Sequence, residues 1–139
     1  MISIAEKSME YFEAFNKQDT DELREMLSDD VTLKDWEVSA NGVDEVLEEI
    51  SKIFSSVDSI SITPTMVYEG LDKFLMGPLG VEGTTVIQLE VLVNDKENLS
   101  VVDILEFDSD YKIKSIKAYK GWYESCSFIE WNCWKHVHS

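Results

Sequence analysis

The chain has 139 residues, 44% hydrophobic and 11% aromatic, which suits one folded domain with one sizeable core and is too apolar for disorder. Its 28 acidic and 12 basic residues leave a net charge of −16, which argues against nucleic acid, whose phosphates need clustered Lys and Arg, and against anionic membrane surfaces. No apolar run approaches the roughly 20 residues of a membrane helix, the first residues lack the basic and apolar segments of a signal peptide, and two cysteines, Cys126 and Cys133, are too few for a disulfide framework, so the cytoplasm is the expected location.

Residues 3–17 read as an amphipathic helix, with Ile4, Ser8, Tyr11 and Phe15 in one stripe and Met9 and Phe12 beside it. Asp19, with Glu22 three residues on, is a capping-box-like start for a short second helix over 20–28 that carries Leu23, Met26 and Leu27. Ser28-Asp29-Asp30 reads as a turn. Residues 31–35 then alternate as a strand whose apolar side is Val31, Leu33 and, in the same register, Asp35. Asn41-Gly42 punctuates the chain before a third helix over 43–55, with Val46, Leu47, Ile50, Ile53 and Phe54 among its apolar face.

From there the period falls to two. Strands are expected at 58–69, 82–93, 98–107 and 112–120, with turns at 94–98 and 108–110 and a glycine-rich connection over 71–83. Helix, helix, strand, helix and four antiparallel strands imply an α+β fold: a curved antiparallel sheet wrapped around the N-terminal helices as a cone, apolar inside and open at one mouth. The expected division is a domain over 1–120 and an aromatic-rich extension over 121–139 that packs on the domain or on a dimer partner. Cys126, Cys133, His136 and His138 in that extension fit no standard zinc spacing, so no metal site is expected.

One strand stands out. Leu99, Val101, Asp103, Leu105 and Phe107 share a face by alternation, and four of the five are large and apolar. A carboxylic acid in such a row is either strongly destabilised or kept for a purpose.

Several stretches carry a resemblance: Tyr11-Phe12-Glu13-Ala14-Phe15 with Asp19, residues 27–35, Gly42, and Val102-Asp103-Ile104-Leu105-Glu106-Phe107 with 112–116. Over about residues 3–120 the chain resembles the nuclear-transport-factor-2-like superfamily, which has a cystatin-like cone fold and includes SnoaL-like polyketide cyclases and bacterial ketosteroid isomerases. The isomerases carry a first-helix tyrosine, an aspartate at the end of the first strand and a late-strand aspartate; Tyr11, Asp35 and Asp103 fall at the corresponding places. The resemblance implies an apolar small-molecule ligand, no cofactor, no metal and a homodimer through the sheet. It assigns Asp35 as the base and Tyr11 and Asp103 as hydrogen-bond donors to an enolate oxygen, in an isomerase, cyclase or dehydratase that moves a proton next to a carbonyl. In ketosteroid isomerases an apolar site keeps the second acid neutral so that it can donate. Phe15, Trp36, Phe54, Val101 and Leu105 are the expected ligand-lining residues. The sequence departs from the isomerases at Trp36 and Glu37, where a bulky indole follows Asp35.

Each member of the set has a second explanation in the residues alone. Tyr11 serves equally as a core tyrosine with one hydrogen bond. Asp35 serves as a turn or cap residue. Asp103 serves as a buried acid paired for structure. A non-catalytic ligand-binding or dimerisation module of the same fold is therefore the alternative to an enzyme.

Overall fold

The computed structural model describes residues 3–70 and 83–123. Ser3 starts the first helix, α1 (Ile4–Asn16), its hydroxyl accepting from the Ala5 and Glu6 amides. Ile4, Ser8, Tyr11, Phe12, Ala14 and Phe15 form its buried side, as the apolar spacing requires. The chain leaves α1 through Gln18 at φ 56°, and Asp19 then caps α2 (Thr20–Met26) by accepting from the Glu22 amide at 3.1 Å. Strands β1 (Leu27–Lys34) and β2 (Ser39–Asn41) follow, then α3 (Val43–Ser56), β3 (Ile60–Gly70), β4 (Gly83–Val93), β5 (Glu97–Phe107) and β6 (Ile113–Tyr123). Gly42, at the N-cap of α3, holds φ +90° while its amide donates to the Val31 carbonyl at 2.8 Å; a side chain there would be strained.

The six strands form one open sheet in the order β2-β1-β6-β5-β4-β3. Helix α1 lies across β3 and β4, and α3 packs on β1 and β2. The inner face is apolar: Ile87, Leu89 and Val91 on β4, Val101, Leu105 and Phe107 on β5, Ile113 and Ile116 on β6 are all buried. Two polar links tie α1 to this sheet. The Ser8 and Thr85 hydroxyls, both fully buried, lie 2.8 Å apart. The Asn16 amide grips the backbone of Ile62 twice, donating to its carbonyl at 2.8 Å and accepting from its amide at 2.7 Å. Gly83 allows a close approach of another kind: a Cβ there would lie 2.7 Å from Ile4 Cδ1.

The α+β class and the curved sheet over the helices match the expectation. Several details do not. Ser28-Asp29-Asp30 lies within β1, which begins at Leu27, at the point where the β1–β6 pairing shifts register between Leu27 and Thr32, and the Ser28 hydroxyl donates to Asp30 Oδ1 at 2.9 Å. That β1–β6 pairing is parallel, so the sheet is mixed rather than wholly antiparallel. Strand β2 adds a short edge that alternation over three residues is too brief to reveal. Strand β6 also runs on to Tyr123, past the expected end at 120. The connection over 71–82 and the extension beyond 123, with the four cysteine and histidine residues named above, lie outside the described residues. No described helix is long and apolar enough to cross a membrane.

Candidate active site

Strand register builds the site. On the inner face of β5, Asp103 is directly opposite Ile87 of β4 on one side and Ala118 of β6 on the other. Across the next gap, β1 pairs Leu33 with Ile116 and Lys34 with Lys117. Asp35, one residue further, therefore comes level with Ala118. Asp35, Ala118, Asp103 and Ile87 form one row over four strands, with the two acids two strand spacings apart, about 10 Å between backbones. Ala118 is the small residue between them in that row.

Asp103 is only 7% exposed. Burial, and then the negative charge of Asp35, push its carboxyl up to about 7. Tyr11 is brought to the same place by the inward stripe of α1. Burial, and then the charge of Asp103, push its phenol upward, so it stays protonated and available as a donor at neutral pH. Among the described residues no hydrogen bond is made by the Tyr11 hydroxyl or by the Asp103 carboxyl. Both polar groups are thus buried with their capacity unspent there.

Asp35 has a structural use as well. Its Oδ1 accepts from the Glu37 and Val38 amides, each at 2.7 Å, in the turn that leads to β2. Those bonds fix the carboxylate plane and leave Oδ2 with no bond among the described residues. The residue is half-buried, at the rim of the cone.

Asp103 lies within electrostatic reach of Tyr11 and of Asp35, with Val101 and Leu105 buried on either side of it along β5. Phe15 lies one turn beyond Tyr11 and meets Phe54 edge to face, ring centres 4.9 Å apart. Trp36 is 45% exposed and lines the rim beside Asp35, with Lys120 Nζ 5.9 Å from its ring centre.

Sequence reasoning missed the rim. A concavity of about 490 Å³ is lined by Lys34, Asp35, Trp36, Lys117, Ala118, Tyr119 and Lys120. The available signal was four lysines between 112 and 120 in a chain of net charge −16. A second concavity, about 460 Å³, lies at the opposite end of β5, around Phe107 and Tyr111, away from the two acids.

Known proteins match this architecture. The family model of the SnoaL-like domain matches residues 9–116. An NTF2-like protein of unknown function from Cytophaga hutchinsonii aligns over 87% of this chain and 92% of its own, at TM-score 0.66 and 12% identity. A protein assigned as a ketosteroid isomerase from Kribbella flavida aligns over 85% of this chain and 77% of its own, at TM-score 0.66 and 14% identity. The epoxide hydrolase/cyclase-like enzyme SalBIII, of pyran ring formation in the polyether salinomycin, aligns over 85% and 90%, at TM-score 0.66 and 18% identity. At these identities the likeness is one of fold. Germination proteases of Clostridium perfringens strains are 31% identical over 77 residues, 54% of this chain; the match spans about a quarter, 24%, of their length.

Proposed function

The chain belongs to the SnoaL-like domain family, and from that membership we propose that its cone binds an apolar small molecule and moves a proton next to a carbonyl without a cofactor. The observation that carries this reading is the inner row that sets Asp103, buried and held neutral up to about 7, beside Tyr11 and within reach of the charge of Asp35. Asp35 Oδ2 takes the proton from the carbon next to the carbonyl. The Tyr11 hydroxyl and protonated Asp103 donate to the enolate oxygen, in a dry pocket where such bonds are strongest. Asp35 then returns the proton to the same or a conjugated carbon. Phe15, Phe54, Val101 and Leu105 supply the apolar walls.

The test is deuterium exchange into a panel of cyclic enones and β-keto compounds in D2O, followed by proton NMR. Exchange should be lost in Asp35→Asn, and in the wild type it should fall as pH rises through about 7, where Asp103 gives up the proton it donates. Binding of the panel without exchange at any pH would sink the catalytic reading and leave the non-catalytic ligand-binding module of the same fold.

We also propose a homodimer through the sheet. On the outer face Met66 of β3, Val102 of β5 and Tyr119 of β6 fall in one cross-strand row, with Tyr68 beside it, and Met66, Tyr68 and Tyr119 are 47%, 54% and 55% exposed. Light scattering at micromolar concentration should give twice the chain mass, 15.9 kDa per chain. An acidic protein with two cysteines suits the cytoplasm, where thiols stay reduced.

A further inference from the structure

Helix α1 carries one polar residue on its buried side besides Tyr11, and that residue is Ser8. Alanine there would favour the helix and leave no polar atom to bury. The Ser8 hydroxyl donates to the Ile4 carbonyl at 2.9 Å and meets the Thr85 hydroxyl at 2.8 Å, with both side chains fully buried. With the Ser8 proton on that carbonyl, Thr85 is the donor of the second bond. Thr85 stands on β4, two residues before Ile87, which is opposite Asp103. Ser8 stands three residues, nearly one turn, before Tyr11. Helix and strand advance in step here. Ile4 lies against Gly83 and Ser8 meets Thr85, and four residues of helix span about 6 Å against about 7 Å for two residues of strand. Carried on by the same step, Tyr11 and Phe12 come level with Ile87, and so with Asp103 on the next strand. At the far end of α1, Asn16 holds the Ile62 backbone on the edge strand β3.

Apolar contacts between α1 and the sheet have no direction, so they tolerate a helix that slides. A slide of one turn, about 5.4 Å, would bring Tyr11 level with Thr85 or Leu89, which are opposite Leu105 and Val101, and away from Asp103. The same slide leaves the buried Thr85 hydroxyl without its acceptor. Two apolar residues of the same shape would hold the helix down about as well, so the hydroxyl pair contributes register more than net stability. We propose that Ser8 and Thr85 are positioning residues: their bond sets the height of α1 on β4 and so aims the Tyr11 hydroxyl and the Asp103 carboxyl at one enolate oxygen. The proposal rests on the function proposed above, and it names the residues that align the donor pair of that site.

The test compares the wild type with two variants of the whole chain. Ser8→Ala with Thr85→Val removes both hydroxyls and keeps the apolar contacts. Thr85→Ser keeps the hydroxyl and loses the methyl. Asp35, the other charge that reaches Asp103, is unchanged in both. Tyrosine labelled with carbon-13 at Cζ is followed through the titration of Asp103, and Asp103→Asn identifies the part of the Tyr11 response that belongs to that carboxyl. The double variant should melt close to the wild type. Its Tyr11 response should fall by about half or more, because the field of a charge weakens with distance. Its deuterium exchange into the enone panel should slow on the order of tenfold, with binding little changed. Thr85→Ser should melt lower, through the cavity its methyl leaves, yet keep most of both the response and the exchange rate. A purely structural role would rank the two variants the other way, by their stability. A double variant with the full Tyr11 response, or a folded Thr85→Ser protein that has lost it, would overturn the proposal. Loss of the response in the double variant with no exchange in the wild type would refute the catalytic reading and uphold the positioning; wild-type exchange with the response kept in the double variant would do the reverse.

Discussion

Replacing Asp103 by Asn should stabilise the protein in alkali relative to acid. Asp103 is 7% exposed, so little solvent screens its charge. In the unfolded chain it ionises near its ordinary 3.8; in the folded protein burial and the charge of Asp35 move it to about 7. Between those values the native state holds a proton that the unfolded state has lost. Stability therefore falls as pH rises through this window, by about 1.4 kcal/mol per pH unit, and levels off above about 7. The whole fall is about 4 kcal/mol. Asparagine has the same shape and no charge to bury. Whatever the amide costs in lost hydrogen bonds, it costs equally at every pH, so the stability of the variant relative to the wild type should climb by about 4 kcal/mol from pH 4 to pH 8. Urea unfolding of both proteins across that range, with the slopes compared, measures the climb. Other carboxylates are common to both proteins and largely cancel. A difference that stays constant from pH 4 to pH 8 would mean that Asp103 ionises alike in both states, and burial would then not govern its proton.

Three other perturbations test neighbouring parts. Ser8→Ala removes the partner of the fully buried Thr85 hydroxyl and should cost about 1–3 kcal/mol by thermal melting, with part recovered when Thr85→Val is added. Asn16→Ala cuts both bonds to Ile62 and should cost about 2 kcal/mol, while the Ile62 amide exchanges faster with deuterium. Ala118→Leu puts a branched side chain between Asp35 and Asp103; the melting temperature should change little, while proton exchange falls on the order of a hundredfold.

What could be read in the sequence was local. The stripe Ile4, Ser8, Tyr11, Phe15 placed α1 and its inward face, and the pairing of Asp19 with Glu22 placed the start of α2, because caps and helical periods are set by residues a few positions apart. Alternation likewise put Asp103 and Asp35 on the inner side. What could not be read depends on strands far apart in the chain. Ser28-Asp29-Asp30 has turn chemistry, yet the pairing of Leu27 and Thr32 on either side with β6, more than eighty residues on, carries it within a strand as a break in register. That same parallel pairing brings Asp35 level with Ala118 and so within the influence of Asp103; no spacing in the sequence measures it. Asp35 shows the turn use that its residue type allows, with Oδ1 accepting from the Glu37 and Val38 amides. Trp36 lies past the end of β1 at Lys34, where alternation no longer sets which way a side chain faces, and its ring meets Lys120.

Everything proposed for the cone depends on Asp103 being a neutral acid at the pH where it would work. Carbon-13 NMR of the side-chain carboxyls, with Asp103→Asn assigning the resonance, measures its titration. The expected midpoint lies near 7 and moves downward in Asp35→Asn, since the neighbouring anion raises it. A midpoint near ~4, the ordinary value, and unmoved by Asp35→Asn, would make Asp103 an ordinary carboxylate, unable to donate to an enolate oxygen at neutral pH.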